Sequence, residues 1–312
     1  MRQRPLTRRV GLTVPNLTLE NLTLAELLAM ADGFLRQGNL RRAAELYALA
    51  SPLPDPNRQD ILVRRGIATH PVATTGMILQ VLDALAAVPQ SAFVSDGLAT
   101  WNKILPFLED PRFVEISDRH SDLLPIPNWH WNLQTVLWAA QQASRVEGDF
   151  VELGVFRGHT SLFVAEYLGF AAMQRVWRLY DTFSGIPADQ LDPGWTAKNK
   201  AAYAGTFSRE EVRERFAHIP NIRVIAGRVP EILLEDGPDR IAFLHVDLNN
   251  SAAEIAALDL LFDQISSGGV IVFDDYCWLA ARAQHDAEMR WFSERNLHIL
   301  PLPTGQGVFV KS

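Results

Sequence analysis

The sequence of 312 residues contains a single cysteine, Cys277, which excludes an internal disulfide framework and is typical of a protein from a reducing cytoplasm. No apolar run approaches the length of a membrane span. Basic residues are outnumbered, 29 against 36 acidic ones, and the formal net charge is −7. Because no basic surplus can neutralise phosphates, the composition argues against a general nucleic-acid-binding protein. A hydrophobic content of 48% with 21% charged residues predicts a globular protein.

The N-terminal third of the chain is rich in helical patterns. Four arginines fall within the first ten residues without an apolar segment after them, so we expect a disordered basic tail over residues 1–18 rather than a secretory signal. Residues 19–56 match the spacing of one tetratricopeptide-like helical hairpin, broken at Gly38 and ended by prolines. Because a single repeat cannot bury its own faces, we interpret it as a hairpin docked on the main domain or as a contact in a homo-oligomer.

Residues 59–145 also predict mostly helix, with apolar residues at helical spacing over 78–87 and 133–143. Between these two segments lies an aromatic cluster, Trp129–Trp131. It is either the wall of a substrate site or a core corner around His130. The general burial of large aromatic residues favours the core corner.

The C-terminal half is organised around a glycine-punctuated turn within residues 148–161. The apolar run 150–153, then Gly154 and Gly158, and a helical pattern over 161–168 predict a strand, a tight turn and a helix. Such a unit places backbone N–H groups and a helix N-terminus beside a nucleotide-like ligand. The glycine spacing is not G-x-G-x-x-G, so it does not specify a dinucleotide, and an ordinary βα turn is the alternative.

Strand and helix patterns alternate after this turn, which predicts a parallel sheet with helices on both faces. The last two strands are joined by the short segment 303–307 and are expected to form an antiparallel hairpin at one edge. Five parallel strands with a terminal hairpin are the α/β, Rossmann-like arrangement of class I S-adenosylmethionine-dependent methyltransferases. The predicted strands are 150–153, 176–180, 222–226, 241–246, 270–273, 297–300 and 307–311.

Acidic residues follow three of the predicted strands. Asp181 follows the second, where a carboxylate can accept hydrogen bonds from both hydroxyls of a ribose; a turn cap is the alternative. Asp247 follows the fourth strand, and Asp274 and Asp275 follow the fifth, its neighbour in the predicted sheet. Three carboxylates at one sheet edge repel one another, which favours a hard divalent cation, Mg²⁺ or Ca²⁺. The alternative is that these acids cap helices and face water.

Taken together, these segments resemble the macrocin O-methyltransferase family, which methylates antibiotic sugars. The resemblance covers about residues 146–312. The matching stretches are GDFVELGVFRG (148–158), YDTFSGIP (180–187), HVD (245–247), GGVIVFDDY (268–276) and TGQGV (304–308).

The resemblance implies transfer of a methyl group from S-adenosylmethionine to a hydroxyl of a small molecule with the help of Mg²⁺. It places the metal-binding acids at Asp247, Asp274 and Asp275, with Asp247 also the base that takes the hydroxyl proton. The methyltransferase domain would span 146–312, behind a helical region at 19–145. The predicted cofactor-binding residues are Glu152, Gly154, Phe156, Arg157, Gly158, Thr160, Ser161, Asp181, Ser184 and Gly227.

The sequence departs from the family after Asp247, where a second acid, an aromatic residue and a glutamate are usual. Here Leu248, Asn249, Asn250 and Ser251 follow. This departure supports a rival hypothesis, an inactive methyltransferase-like protein that binds a partner through its helical region. A nicotinamide oxidoreductase is excluded by the glycine spacing and the terminal hairpin.

Three further features leave their roles open. The long segment 183–207 is either a lid over cofactor and substrate or a solvated insertion. His159 is expected to contact the cofactor or to face water. His245 points to the opposite face of its strand from Leu244 and Val246, and we interpret it as a packing residue. No motif identifies the acceptor.

Overall fold

The computed structural model describes residues 23–37, 39–50, 92–101, 103–123, 129–192 and 207–312. The chain divides into two compact units, one formed by residues 1–104 with 126–128 and the other by residues 105–125 and 129–312. The predicted tail, the predicted helix at 78–87 and residues 193–206 of the proposed lid lie outside the described residues.

The first unit contains the predicted helical hairpin. Helix α1 (Leu24–Arg36) begins with a capping box, in which the side chains of Thr23 and Glu26 each accept a hydrogen bond from the other residue's backbone N–H. Helix α2 (Leu40–Ala50) packs against it. Small and aliphatic side chains at helical spacing are buried on both helices, which is why this pair forms. Its docking or oligomerisation role stays a prediction.

A two-stranded antiparallel hairpin follows in the first unit, formed by β1 (Ala92–Ser95) and β2 (Leu98–Trp101). The sequence analysis predicted mostly helix here, and for these residues that prediction is wrong. The turn residues Asp96 and Gly97 have φ values of 55° and 70°. An Asp-Gly pair between apolar and β-branched residues is a hairpin signal, and it overrides the weak helical periodicity.

The second unit begins with three helices, α3 (Pro106–Glu109), α4 (Pro111–Arg119) and α5 (His130–Ala143). Helix α5 contains the predicted helical segment 133–143 and packs against the sheet. The unit that carries the sheet therefore begins well before the predicted boundary at 146. None of the helices in the described part of the chain combines the length and apolar character needed to cross a membrane.

The sheet has seven strands in the order β5-β4-β3-β6-β7-β9-β8. Strands β3 to β7 are parallel, and β9 and β8 add an antiparallel edge. The predicted fold class is confirmed. Predicted and observed strands differ most at the ends, since β7 begins earlier and β8 is only two residues long. The strands are β3 (Asp149–Leu153), β4 (Trp177–Asp181), β5 (Ile222–Ala226), β6 (Ile241–Val246), β7 (Ile265–Phe273), β8 (Leu300–Pro301) and β9 (Gly307–Val310).

Helices cover both faces of this sheet. Side chains of one parity, such as Val151 and Leu244, enter a core formed with the helices on one face. Residues of the other parity, such as Phe150 and Phe243, lie on the face covered by α5 and the helix after β3, because successive strand residues point to opposite faces. The helices between strands are α6 (His159–Leu168), α7 (Arg209–Arg215), α8 (Glu231–Asp236), α9 (Ser251–Leu261) and α10 (Arg282–Ser293).

The aromatic core on the α5 face gives a stability prediction. Phe150 is fully buried, and its ring centroid lies 5.3–5.4 Å from those of Phe170, Trp177 and Phe243. Phe150→Ala leaves a cavity among rigid rings, and we expect the free energy of unfolding to fall by about 3–5 kcal/mol in urea denaturation. Leu234→Ala, at a residue that is 72% exposed, serves as the control and should change it by less than about 0.5 kcal/mol. Equal effects of the two substitutions would contradict this description of the core.

Candidate active site

The carboxyl ends of the parallel strands meet in a row at one edge of the sheet. In sheet order the residues there are Gly227, Asp181, Gly154, Asp247 and Asp274. The N–H groups of the two glycines, Asp247 and Asp274 each donate at 2.8–3.0 Å to a carbonyl at the end of the neighbouring strand. The hydrogen-bond ladder thus continues one residue beyond the strands and aligns the three acids, as the strand order predicts.

The glycine turn brings two strand ends into close contact. Gly154 has a φ of 87°, and a Cβ placed there would lie 1.8 Å from the carbonyl oxygen of Asp247. Gly158 has a φ of 77°, and its Cβ would lie 2.8 Å from the ring of Phe216. The two glycines are therefore required by the packing of the protein itself. Phe156, between them, has a φ of 49°, which is strained for a bulky residue.

The carboxylate of Asp181 holds this turn. Its Oδ2 accepts hydrogen bonds from the backbone N–H groups of Val155 and Phe156, both at 2.8 Å. Its Oδ1 accepts from the N–H of Phe183, also at 2.8 Å. A carboxylate has about four acceptor positions, so about one remains. The turn-cap interpretation of Asp181 is therefore realised in the structure, and room for a ribose is limited to a single further hydrogen bond.

A cleft opens beside this edge. Four of the predicted cofactor-binding residues line it, Gly154, Phe156, Asp181 and Gly227, together with Asp247. Arg157, Gly158, Thr160 and Ser184 do not line it. The described part of the segment predicted to be a lid or a solvated insertion adds Gly185, Ile186, Pro187, Gln190 and Phe207 to the wall. The remaining wall residues were not predicted from the sequence, and they are Thr182, Val229, Leu248, Asn249, Asn250 and Ala253.

Glu152 and Ser161 lie behind the cleft in a buried polar chain. Glu152 is 2% exposed, and its Oε2 accepts a hydrogen bond from the Ser161 hydroxyl. Its Oε1 lies 2.8 Å from Nδ1 of His245, the residue directly opposite on β6. Nε2 of His245 lies 3.5 Å from Oδ1 of Asp274. The packing interpretation of His245 is therefore incomplete, because this imidazole links Glu152 to an acid of the candidate site.

Two amide side chains also hold Asp274. Nδ2 of Asn132, on α5, donates to its Oδ1 at 2.7 Å, and Nε2 of Gln306, in the turn before β9, donates to the same oxygen at 3.3 Å. The sequence analysis gave neither residue a role, although Gln306 belongs to the matching stretch 304–308. An amide on a helix far from the acid in sequence leaves no local signal.

These contacts divide the acids electrostatically. Burial alone would lower the pKa of His245, but its contact with Asp274 and its hydrogen bond to Glu152 raise it to about 9. Burial alone would raise the pKa of Asp274, but His245, Asn132 and Gln306 together lower it below its usual value. Burial, together with repulsion from Asp274, raises the pKa values of Asp247 and Asp275 well above the usual value. Interactions within the protein thus stabilise the charged form of Asp274, whereas the charged forms of Asp247 and Asp275 are disfavoured.

The three predicted metal ligands all offer the same kind of donor atom. Asp247, Asp274 and Asp275 offer carboxylate oxygens, the ligands that Mg²⁺ prefers. Within the described ranges, however, no three His, Cys, Asp or Glu side chains converge closely enough to form a metal-binding group. The donor chemistry and the uncompensated charge fit a divalent cation, but the side chains are not assembled as a ready coordination sphere.

The departure from the family at 248–251 has a structural explanation. Nδ2 of Asn249 donates to Oδ1 of Asp247 at 2.8 Å, so this segment places an amide beside the predicted base. Asn250 caps α9, its Oδ1 accepting from the N–H of Ala253 at 2.8 Å. Ser251 donates to Asp192 through its N–H at 2.7 Å and through its hydroxyl at 2.5 Å. These residues hold the cleft wall in place.

A buried carboxyl pair lies beneath this wall. Glu254 on α9 and Glu288 on α10 are 1% and 2% exposed and are hydrogen bonded to each other. Oε1 of Glu254 also accepts from the N–H of Leu248 at 3.2 Å and from Nε2 of Gln284 at 3.0 Å. Burial raises the pKa of Glu254 to about 7 and that of Glu288 well above its usual value. The pair therefore shares a proton around neutral pH.

The residues of the aromatic cluster Trp129–Trp131 lie in two different environments. His130 is buried beside the rings of Phe107 and Phe113, and Trp131 packs edge-on against Phe107 with a centroid distance of 4.7 Å. The core-corner interpretation is confirmed for His130, whereas Trp131 is half-buried at the edge of that corner. Trp129 instead stacks on Trp278, close to Asp275 in sequence.

His159 was expected to contact the cofactor or to face water, and both expectations are wrong. The residue is buried and does not line the cleft. Neither ring nitrogen has a hydrogen-bond partner among the residues that the structure describes. Burial, with His120 and His130 nearby, lowers its pKa to about 3, so it stays neutral.

Comparison with known proteins gives a consistent result. A family model described as macrocin-O-methyltransferase (TylF) matches residues 131–299. The chain is 30% identical over 178 residues to the 8-demethyl-8-(2,3-dimethoxy-alpha-L-rhamnosyl)-tetracenomycin-C 4'-O-methyltransferase of Streptomyces olivaceus, which covers 53% of this chain and 66% of that protein. It is 29% identical over 144 residues to the demethyldecarbamoylnovobiocin O-methyltransferase of Streptomyces niveus, covering 43% of this chain and 54% of that protein. The matches thus span from about half to just under two thirds of these relatives' lengths.

Among solved structures, the O-methyltransferase NovP is similar, with a TM-score of 0.51 and 20% identity. The match covers 59% of this chain and 81% of that structure. At this identity the likeness supports the fold, and it agrees with the observed strand order.

The close approach at Gly154 leads to a prediction. In Gly154→Ala the new Cβ collides with the backbone of Asp247, and both strand ends must shift. We expect a loss of several kcal/mol in the free energy of unfolding, more than the roughly 1–2 kcal/mol of a left-handed conformation alone. Gly169→Ala is the matched control, since its φ is 65° and nothing lies within 4 Å of its Cβ. If both variants lose the same stability in urea denaturation, the contact is not important.

The pair Glu254–Glu288 makes stability depend on pH. Because the folded-state pKa of Glu254 is about 7 and the unfolded value is near 4.5, the folded protein binds more protons between these pH values. This contribution to the free energy of unfolding therefore falls as pH rises from about 4.5 to 7. Glu254→Gln removes the titrating group and should flatten the dependence in urea denaturation from pH 5 to 8, whereas Glu235→Gln on the surface should not. An unchanged slope in Glu254→Gln would contradict the raised pKa of Glu254.

Proposed function

The chain belongs to the macrocin-O-methyltransferase (TylF) family, whose model covers more than half of it, and from this premise we propose that it transfers a methyl group from S-adenosylmethionine to a hydroxyl of a small molecule. A sugar on a natural-product or glycan intermediate is the proposed acceptor class, in line with the rhamnosyl compound named for the Streptomyces olivaceus relative. The observation that carries the proposal is the alignment of Asp181, Gly154, Asp247 and Asp274 at one sheet edge beside the cleft.

The cleft supports S-adenosylmethionine as the methyl donor. Its walls combine apolar side chains, such as Phe156 and Ile186, with the carboxylate of Asp181. Asp181 keeps about one acceptor position for a donor hydroxyl, and Asp247 also lines the cleft, where we expect the acceptor to approach.

Asp247 is the proposed general base. Its Oδ1 is held by Asn249, which orients the carboxylate and leaves the other oxygen for the proton of the acceptor hydroxyl. Mg²⁺, when bound by Asp247, Asp274 and Asp275, would lower the pKa of the acceptor hydroxyl as a Lewis acid. Most of the catalysis then comes from positioning the two reactants.

The departure at 248–251 first suggested an inactive binding protein. Its residues cap α9 and orient Asp247, and all three acids are retained, which favours the enzyme over the binding protein. A purified protein that binds neither S-adenosylmethionine nor its product would reverse this preference.

The test is release of S-adenosylhomocysteine with rhamnosides and other sugar acceptors. Asp247→Asn removes the base with little change in shape, and we expect the turnover rate to fall by about 10²–10⁴-fold. Asp263→Asn, an exposed aspartate before β7, is the matched control and should leave the rate unchanged. Full activity of Asp247→Asn would rule out its role as the base.

The same assay tests the cation. We expect EDTA to abolish transfer and Mg²⁺ to restore it. Transfer that persists in EDTA would remove Mg²⁺ from the mechanism while leaving the methyltransferase proposal in place.

A further inference from the structure

Two tryptophans beside the acid edge have no role in the chemistry described so far. We propose that Trp129 and Trp278 form an aromatic platform that holds the acceptor, and that they select a saturated sugar ring with one apolar face. The inference rests on the proposed function. The planes of the two indoles are inclined by only 3°, and their centroids lie 6.3 Å apart.

The position of Trp129 is tied to Asp274. Trp129 is the N-cap residue of α5, and its carbonyl accepts from the N–H of Leu133 at 3.0 Å. In the same turn of the helix, Asn132 donates to Oδ1 of Asp274 at 2.7 Å. The start of α5 is therefore anchored on an acid of the candidate site, and the Trp129 indole stacks on Trp278, three residues after Asp275.

Trp278 is anchored to the same acids from the other side. Its N–H donates to the carbonyl of Asp275 at 3.1 Å. Its indole packs against Gly305, where a Cβ would lie 2.3 Å from Nε1. The next residue, Gln306, donates to Oδ1 of Asp274. Each tryptophan therefore lies close to an amide side chain that donates a hydrogen bond to Asp274, Asn132 in one case and Gln306 in the other.

The exposure of the two indoles distinguishes them from core aromatics. Both are half-buried, whereas the adjacent His130 and the rings around it are buried. A rigid indole offers a large contact area, and its negatively polarised face attracts the weakly positive C–H edges of a ligand. A pyranose can lay its C–H face on an indole and direct its hydroxyls to the carboxylates. A deoxysugar adds a methyl group to that apolar face.

The experiment measures binding of methyl α-L-rhamnopyranoside in the presence of S-adenosylhomocysteine and Mg²⁺, by saturation-transfer NMR and by titration. In the wild type we expect saturation to be strongest on the protons of one ring face. Trp129→Leu and Trp278→Leu keep apolar bulk without the aromatic face, and each should weaken binding by about tenfold. The corresponding phenylalanine variants should recover most of the affinity. Trp138→Leu, at a 41%-exposed residue of the same helix, is the control and should bind like the wild type.

Kinetics separate a platform from a structural role. The leucine variants should raise KM for the rhamnoside about tenfold and leave kcat and the affinity for S-adenosylhomocysteine within about threefold. 1,2-Propanediol is a vicinal diol without a ring. As an acceptor, it should therefore have the same KM in the leucine variants as in the wild type.

The outcomes distinguish the two proposals. Methyl transfer that is insensitive to both leucine substitutions overturns the platform and leaves the proposed function intact. Face-selective, tryptophan-dependent binding without methyl transfer supports the platform and contradicts the proposed function. A wild type that binds no sugar, or phenylalanine variants that bind as weakly as the leucine variants, overturns the platform.

Discussion

Repulsion among carboxylates at the carboxyl edge of the sheet is the constraint on which the rest of this structure depends. The parallel strand order brings the acids together, and burial makes their negative charge costly. The protein offsets the charges of these acids to different extents. Asp274 receives an imidazole and two amides, and Glu152 receives the same imidazole, whereas Asp247 and Asp275 retain raised pKa values. The charged carboxylate of Asp274 therefore lies beside Asp247 and Asp275, each of which would be stabilised by binding a proton or a cation.

This arrangement recruits parts of the chain that lie far apart in sequence. Helix α5 contributes Asn132, β6 contributes His245, and the turn before β9 contributes Gln306. The match of the family model begins at residue 131, within α5, and the second unit also includes this helix. The helix before the sheet therefore belongs to the unit that carries the sheet, where it packs against one face and contacts Asp274 through Asn132.

The sequence predicts the sheet and its acids because both depend on local patterns and on one rule of strand order. Asp181, Asp247 and Asp274 lie where that rule places them. The contacts of His245 and Asn132 could not be predicted, because they join residues 93 and 142 positions apart. The roles of Gly154 and Gly158 could be predicted only in part. A glycine pattern shows that other atoms approach the backbone closely, but not whether those atoms belong to a ligand or to the protein. The hairpin at 92–101 contradicts the prediction of mostly helix over residues 59–145, because the Asp-Gly pair at positions 96 and 97 favours a tight turn between two strands.

The terminal hairpin has a consequence beyond the site. Strand β8 is the outermost strand on its side of the sheet, it comprises only Leu300 and Pro301, and proline has no N–H to donate. An edge this short presents almost no template for the strand of another molecule. The hairpin that carries Gln306 to Asp274 therefore also protects the sheet against edge-to-edge aggregation, so the colloidal stability of the protein and the geometry of its acids depend on the same few residues.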